Sequence, residues 1–161
     1  MPPARPYRDY IAWLQKQDMG RAEGFWRERL RGFSVPTPLV VERRGGEMHR
    51  GGGGYGKEAL AMSSEEAVGL QNLGQRLRVT QNTLLQGAWA VLLSRYSGEE
   101  DVVFGSTVAG RPGELAGAEE MVGLFINTLP VRAVMRGGET VEGFLRRLQE
   151  QEAAAKEFEY S

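Results

Sequence analysis

A chain of 161 residues fits one domain or one large subdomain. Apolar residues make up 41% and charged residues 25%, a balance that supports a packed core, and a net charge of -1 gives no electrostatic reason to expect nucleic acid or an anionic membrane as partner. No apolar run approaches the roughly 20 residues that span a bilayer, and the start, MPPARPYRDY, has no apolar stretch of the signal-peptide kind.

Tyr7, Tyr10, Ile11 and Leu14 recur at helical spacing with Trp13 beside them, predicting a first short helix. Asp18 is placed to cap a second, with Ala22, Phe25, Trp26 and Leu30 as its apolar face. Val35-Pro36-Thr37-Pro38 ends that unit, because a residue before proline is pushed toward extended geometry. Leu39-Val40-Val41 leads into a polar, glycine-dense stretch from Glu42 to Gly56 that reads as a long exposed loop, and Lys57 to Met62 reads as a short strand.

Ser63 and Glu66 form an S-x-x-E capping box, opening a helix with Ala67, Leu70, Leu73 and Leu77 on one side. Thr80 caps the next helix. Its residues Leu84, Leu85, Ala88, Trp89, Leu92, Leu93 and Tyr96 give the strongest periodic signal in the chain and predict a buried central helix. Asp101 to Ala109 reads as a strand whose start is apolar on both faces, as in a central strand covered on both sides. A loop from Gly110 to Glu120 follows, then a second extended run from Leu124 to Met135. Pro130 lies inside that run and has no N–H to donate, so it must occupy an edge, a bulge or a break. Gly137-Gly138 turns the chain into a last helix from about Thr140 to Phe158, with Val141, Phe144, Leu145, Leu148 and Ala155 as its apolar face. The final Glu157 to Ser161 carries no capping signal and reads as a cut end. The fold class is α/β, with few strands and long helices.

The chemistry-bearing residues are sparse. With no cysteine, disulfides, thiolate nucleophiles and cysteine metal sites are excluded, and a reducing cytoplasm is the default compartment. The single histidine, His49, sits in the glycine-dense stretch and reads as solvated. Gly51, Gly53 and Gly56-Lys57 approach two phosphate-binding patterns. However, Glu58 stands where a P-loop needs Ser or Thr, and no buried strand precedes the glycines. Glu99, Glu100 and Asp101, and likewise Glu119 and Glu120, read as solvated carboxylates. Two polar positions are harder to dismiss. Asn127 lies within an apolar run and must either hydrogen-bond structurally or face a cavity. Arg111 stands between Gly110 and Pro112 at the end of a strand, where α/β folds often place sites. No complete catalytic set and no metal set is present.

Ordered stretches go further. YRDYIAWLQ at Tyr7 to Gln15 resembles the Y-x-D-Y-x-x-W-Q motif of nonribosomal peptide synthetase condensation domains, and FWRERLRGF at Phe25 to Phe33 resembles the segment after it. LLSRYSGEEDVVFGSTVAGRP, then MVGLFINTLPVR at Met121 to Arg132, resemble two later blocks in the same order. The resemblance implies that residues 1–161 are the C-terminal subdomain of a chloramphenicol acetyltransferase-like fold, with a small mixed sheet packed by long helices. It implies a parent that joins a carrier-bound aminoacyl or peptidyl thioester donor to an aminoacyl acceptor. The phosphopantetheine arms of upstream and downstream carrier proteins enter as substrates, not as bound cofactors. The family's H-H-x-x-x-D-G motif belongs to an N-terminal subdomain and is not in this sequence, so no catalytic residue is assigned and the fragment alone is expected to be inactive. Arg111 matches the arginine of the G-R-P block, implying pairing with the motif's aspartate. Asn127 matches the asparagine of the F-I-N-T block near the tunnel, and Pro112 to Glu120 matches a stretch that closes the tunnel floor. Tyr7, Asp9 and Tyr10 are implied to be structural. An exposed face toward the absent half would promote self-association. The alternatives are an epimerising, cyclising or ester-forming relative, and a non-catalytic carrier-protein docking module.

Overall fold

The computed structural model describes residues 5–38 and 59–161. The expected α/β class holds: five helices and a two-stranded sheet are present among the described residues. In order they are α1 (Arg8–Leu14), α2 (Met19–Arg29), α3 (Ser64–Leu77), α4 (Gln81–Ser97), β1 (Asp101–Ala109), β2 (Ile126–Val134) and α5 (Val141–Ala155). The glycine-dense stretch, His49 and the approach to the phosphate-binding patterns lie outside the described residues. No helix among those described is long and apolar enough to cross a membrane. The chain divides into two compact units, and β1, β2 and α5 contribute residues to both.

The first unit comprises the chain up to Pro36, Val103–Ala133 and Glu150–Ser161. Asp18 caps α2 as expected, its carboxylate accepting from the Arg21 N–H at 2.9 Å. Ala22 is buried and Phe25, Trp26 and Leu30 are half-buried, whereas Ile11, expected on the inner face of α1, is exposed. Tyr10, expected on the same face, is buried and packs with Met121 and Phe125.

The Gly110 N–H donates to the Phe125 carbonyl at 2.7 Å, so the end of β1 meets the start of β2 and the strands run antiparallel. Odd-numbered β2 residues therefore turn their backbone toward β1 and even-numbered ones away. Pro130 falls on the outward set, so its missing N–H costs the ladder nothing and no bulge is required. Phe125, Leu129, Val131 and Ala133 are buried on one sheet face, while Gly105, Thr107, Ala109, Ile126 and Thr128 are exposed on the other. The expectation that β1 is covered on both sides is corrected at its far end: Val102 is buried and Val103 and Phe104 are half-buried at the start, but from Gly105 onward the strand is covered on one face only.

The second unit comprises Thr37–Val102 and Val134–Gln149. The capping box is formed as expected: Ser63 accepts from the Glu66 N–H and the Glu66 carboxylate accepts from the Ser63 N–H at 2.8 Å. No strand forms over Ala59 to Met62, which corrects the described part of the short strand expected there. Thr80 caps α4 through the Thr83 N–H at 3.1 Å. Gln149 of α5 fastens the same turn, its Oε1 accepting from the Thr80 N–H at 2.9 Å and the Thr83 hydroxyl at 2.7 Å. Gly87 lets α4 and α5 meet, since a Cβ there would lie 2.5 Å from Leu145 Cδ2.

The covered face of α4 is not the one that the periodicity suggests. Leu84, Ala90 and Leu93 are buried, yet Leu85, Trp89, Leu92 and Tyr96 are 63%, 48%, 44% and 59% exposed. The helix is apolar around its circumference, and periodicity alone does not say which side this chain covers.

Candidate functional site

Arg111 leaves β1 at the start of the loop that the sequence singled out. Its Nη1 donates to the carbonyl of Met121 at 3.0 Å, to that of Glu119 at 3.4 Å, and to that of Ala118 by a short bond. Those acceptors sit in and just after a 3₁₀ turn over Ala118–Glu120. One guanidinium nitrogen therefore closes the whole Pro112 to Glu120 loop. The planar group also lies over the Phe125 ring, 4.1 Å from its centroid. Nε and Nη2, the edge that grips a carboxylate in bidentate fashion, donate to none of the described residues.

Phe125 is held in turn by the first helix. Tyr7 meets it edge-on at 5.4 Å and Tyr10 packs against it at 4.7 Å. Burial, with the nearby Tyr7, raises the Tyr10 phenol above its ordinary range, so it stays a neutral member of the cluster. The Tyr7 hydroxyl donates to the Leu124 carbonyl at 2.5 Å. Its ring occupies the place of a side chain at Gly123, where a Cβ would collide with the ring edge. Tyr7 and Tyr10 of the first motif thus fix the segment that carries Phe125 beneath Arg111, while the side chain of Asp9 faces Arg8 at 4.0 Å.

Asn127 turns inward from β2. Its Nδ2 donates to the carbonyls of Glu159 and Ser161, both at 2.9 Å, and its Oδ1 accepts from the Thr128 N–H at 2.8 Å. Of the two options left open by the sequence, hydrogen bonding accounts for every polar atom of this amide. The last residues are tied further by the Trp26 indole N–H to the Ser161 hydroxyl at 2.8 Å and by the Tyr160 hydroxyl to the Asp18 carbonyl at 3.3 Å. Sequence reasoning missed this strap entirely, and it shows no local pattern by which to find it.

Arg111 and Asn127 do not touch, but they share a neighbour. Glu159, held by Asn127, and Arg111 both line a cavity of about 510 Å³, with Trp13, Asp18, Arg21 and Tyr160 among its other walls. Charges of both signs meet here. Among the described residues, no group of His, Cys, Asp or Glu is arranged to hold a metal. Glu99, Glu100, Glu119 and Glu120 are exposed, as read from the sequence, whereas Asp101, read with them as solvated, is half-buried as the first residue of β1.

Comparison with known proteins shows the family. The family model described as Condensation domain matches residues 1–161. The chain belongs to the condensation-domain family. It is 48% identical over 161 residues to a component protein of the linear gramicidin synthase of Brevibacillus parabrevis, covering all of this chain and 3% of that protein. It is 41% identical over 161 residues to surfactin synthase subunit 3 of Bacillus subtilis, covering 99% of this chain and 12% of that one. The condensation-domain chain thus spans only a small part of the curated relatives it matches. Among solved structures, the first condensation domain of the CDA synthetase aligns with TM-score 0.69 at 21% identity, over 88% of this chain and 29% of that one. The X-domain from teicoplanin biosynthesis aligns with TM-score 0.73 at 24% identity, over 96% and 36%. These two likenesses bear on the fold.

Proposed function

We propose that this chain is the C-terminal subdomain of a condensation domain in a cytoplasmic nonribosomal peptide synthetase, and that it builds one wall of the site where a peptide bond forms. The acceptor's amine attacks the carbonyl carbon of the donor thioester. The new C–N bond forms as the C–S bond breaks, the donor thiol leaves on its phosphopantetheine arm, and the amine gives up a proton. Both arms belong to carrier proteins and are substrates here, not bound cofactors. No residue of this chain is assigned to the proton transfer, because its one histidine cannot supply an H-H-x-x-x-D-G motif.

The observation that carries this reading is the open edge of Arg111. One nitrogen of the guanidinium organises the loop, and the bidentate edge remains available for a carboxylate from outside the described residues. The aspartate of the motif in the preceding N-terminal subdomain is a carboxylate of the right kind. The contact would be positional: it would hold the motif against the loop from Pro112 to Glu120 without moving a proton.

The test mixes this chain with the separately produced preceding half of its parent and supplies loaded donor and acceptor carrier proteins. A one-to-one complex that makes dipeptidyl thioester, with neither part active alone, is the expected result. Arg111→Lys should then weaken the complex, because a point charge does not replace the fork. If no complex forms and the chain alone binds a carrier protein, the chain is a docking module and the catalytic reading is overturned.

A further inference from the structure

Phe125 meets Arg111 twice. Its carbonyl accepts from the Gly110 N–H at 2.7 Å, which fixes the backbone from which the arginine leaves β1. Its ring lies under the far end of the same side chain, 4.1 Å from the guanidinium carbon. The ring itself is fixed: it is 5% exposed, with Tyr7 edge-on and Tyr10 tilted against it at interplanar angles of 86° and 54°. Arg21, Arg29, Arg132 and Arg147 also lie over rings, but at 5.4 to 6.0 Å. Of these, Arg21 and Arg147 pair with carboxylates of this chain, Glu157 and Glu139, at 2.6 and 2.7 Å. Arg111 stands closer to its ring than any of them and pairs with no carboxylate among the described residues.

An exposed arginine keeps several rotamers, and freezing them when a partner binds costs affinity. Arg111 is exposed, yet its contacts leave little to freeze. Nη1 is spent on the carbonyls of Ala118, Glu119 and Met121. Acceptors on one nitrogen still let the group swing about that nitrogen. The electron-rich ring face beneath it removes that freedom and keeps Nε and Nη2 at the open edge. We propose that Phe125 is the positioning residue of the carboxylate contact: it holds the Arg111 fork in its receiving orientation before the carboxylate arrives. The proposal rests on the reading of that edge as the seat of an aspartate from the N-terminal subdomain.

The experiment replaces Phe125 in the 161-residue chain by mono-, di- and trifluorinated phenylalanine. The series drains the negative ring face stepwise and nearly keeps the ring's shape, whereas Phe125→Leu would open a gap beside Tyr7 and Tyr10. The first readout is the Nε–Hε order parameter of Arg111 from nitrogen relaxation. It should lie in the rigid range, about 0.8, in the unsubstituted chain and fall with each added fluorine, while that of the exposed Arg8 stays unchanged. The second readout is association with the separately produced preceding half. Trifluorination should weaken it about two- to fivefold, the size of a cation–π contact at an exposed site. In an Arg111→Ala background it should change nothing, because a residue that acts through another adds nothing once that one is gone. An order parameter that stays constant across the series overturns the inference. So does equal weakening with and without Arg111, which would make Phe125 a packing residue only. If no complex forms in any version, the proposed function fails, and the order parameter alone decides whether Phe125 positions the fork.

Discussion

Gly123 carries more of the structure than its size suggests. It has no side chain because the Tyr7 ring occupies that space, and Tyr7 holds the next carbonyl. Gly123→Ala must displace the ring from the Phe125 cluster and should cost about 1–3 kcal/mol, the usual penalty of overpacking. Tyr7→Phe keeps the ring and removes only the hydroxyl, so it should cost less, about 0.5–1.5 kcal/mol. Urea midpoints of the two variants check the order, and a neutral Gly123→Ala would mean that the ring is not seated as described. A second residue-scale prediction concerns acid. Glu139 pairs with Arg147 at 2.7 Å, and the hydrogen bond from Arg147, aided by the charges of Arg147 and Arg136 and opposed by burial, holds its carboxyl below the usual range. A carboxyl depressed in the folded state adds stability that is present above its unfolded value of about 4.3 and is lost as pH falls through the folded value. Glu139→Gln should therefore flatten the fall of the thermal midpoint with pH on the acid side. An acid limb parallel to that of the unsubstituted chain would assign the loss to other groups, of which Glu66, depressed by its hydrogen bonds from Ser63, is the first to examine.

At the scale of elements, legibility followed the range of the interaction. The caps at Asp18, Ser63 and Thr80 were read correctly because each is closed within a few residues, and the chemistry of a cap is written in its own sequence. Pro130 was narrowed to an edge, a bulge or a break, and the ladder register explains why no bulge is needed. The side of α4 that is covered was not legible, because Leu84 and Leu85, or Leu92 and Leu93, are equivalent to any periodicity argument and only long-range contacts separate them. Gly87 shows the same division. In sequence it looks like a weak point of α4, worth about 1 kcal/mol against Ala in helix propensity. In the structure, Leu145 fills the space a methyl group would take. Gly87→Ala gains the propensity term and meets an overpacking cost of about 1–3 kcal/mol, so the net effect should be destabilising. A rise in the thermal midpoint of Gly87→Ala would show that Leu145 moves aside freely.

At the scale of the whole molecule, the ordered blocks reveal the family but not the reason for each polar position within them. Asn127 illustrates this. The resemblance directs it toward a tunnel, and in the structure both of its N–H groups are taken by the carbonyls of Glu159 and Ser161. The first unit draws on three separated stretches of chain, and the strap from Glu159 to Ser161 meets two of the others at Asp18, Trp26 and Asn127. Removing residues 159–161 takes away both acceptors of Asn127 and the partner of the Trp26 indole, and should cost about 2–4 kcal/mol at the usual worth of such bonds. Asn127→Ala in the intact chain should cost about half as much. The deciding measurement is the pair together: if Asn127 acts through the strap, Asn127→Ala adds almost nothing once residues 159–161 are gone, because coupled partners are not additive. Trp26 fluorescence should shift to the red in the truncated protein and not in Asn127→Ala alone. A full and additive cost of Asn127→Ala in the truncated background would instead locate its contribution elsewhere, and would return weight to a role at the cavity that Arg111 and Glu159 share.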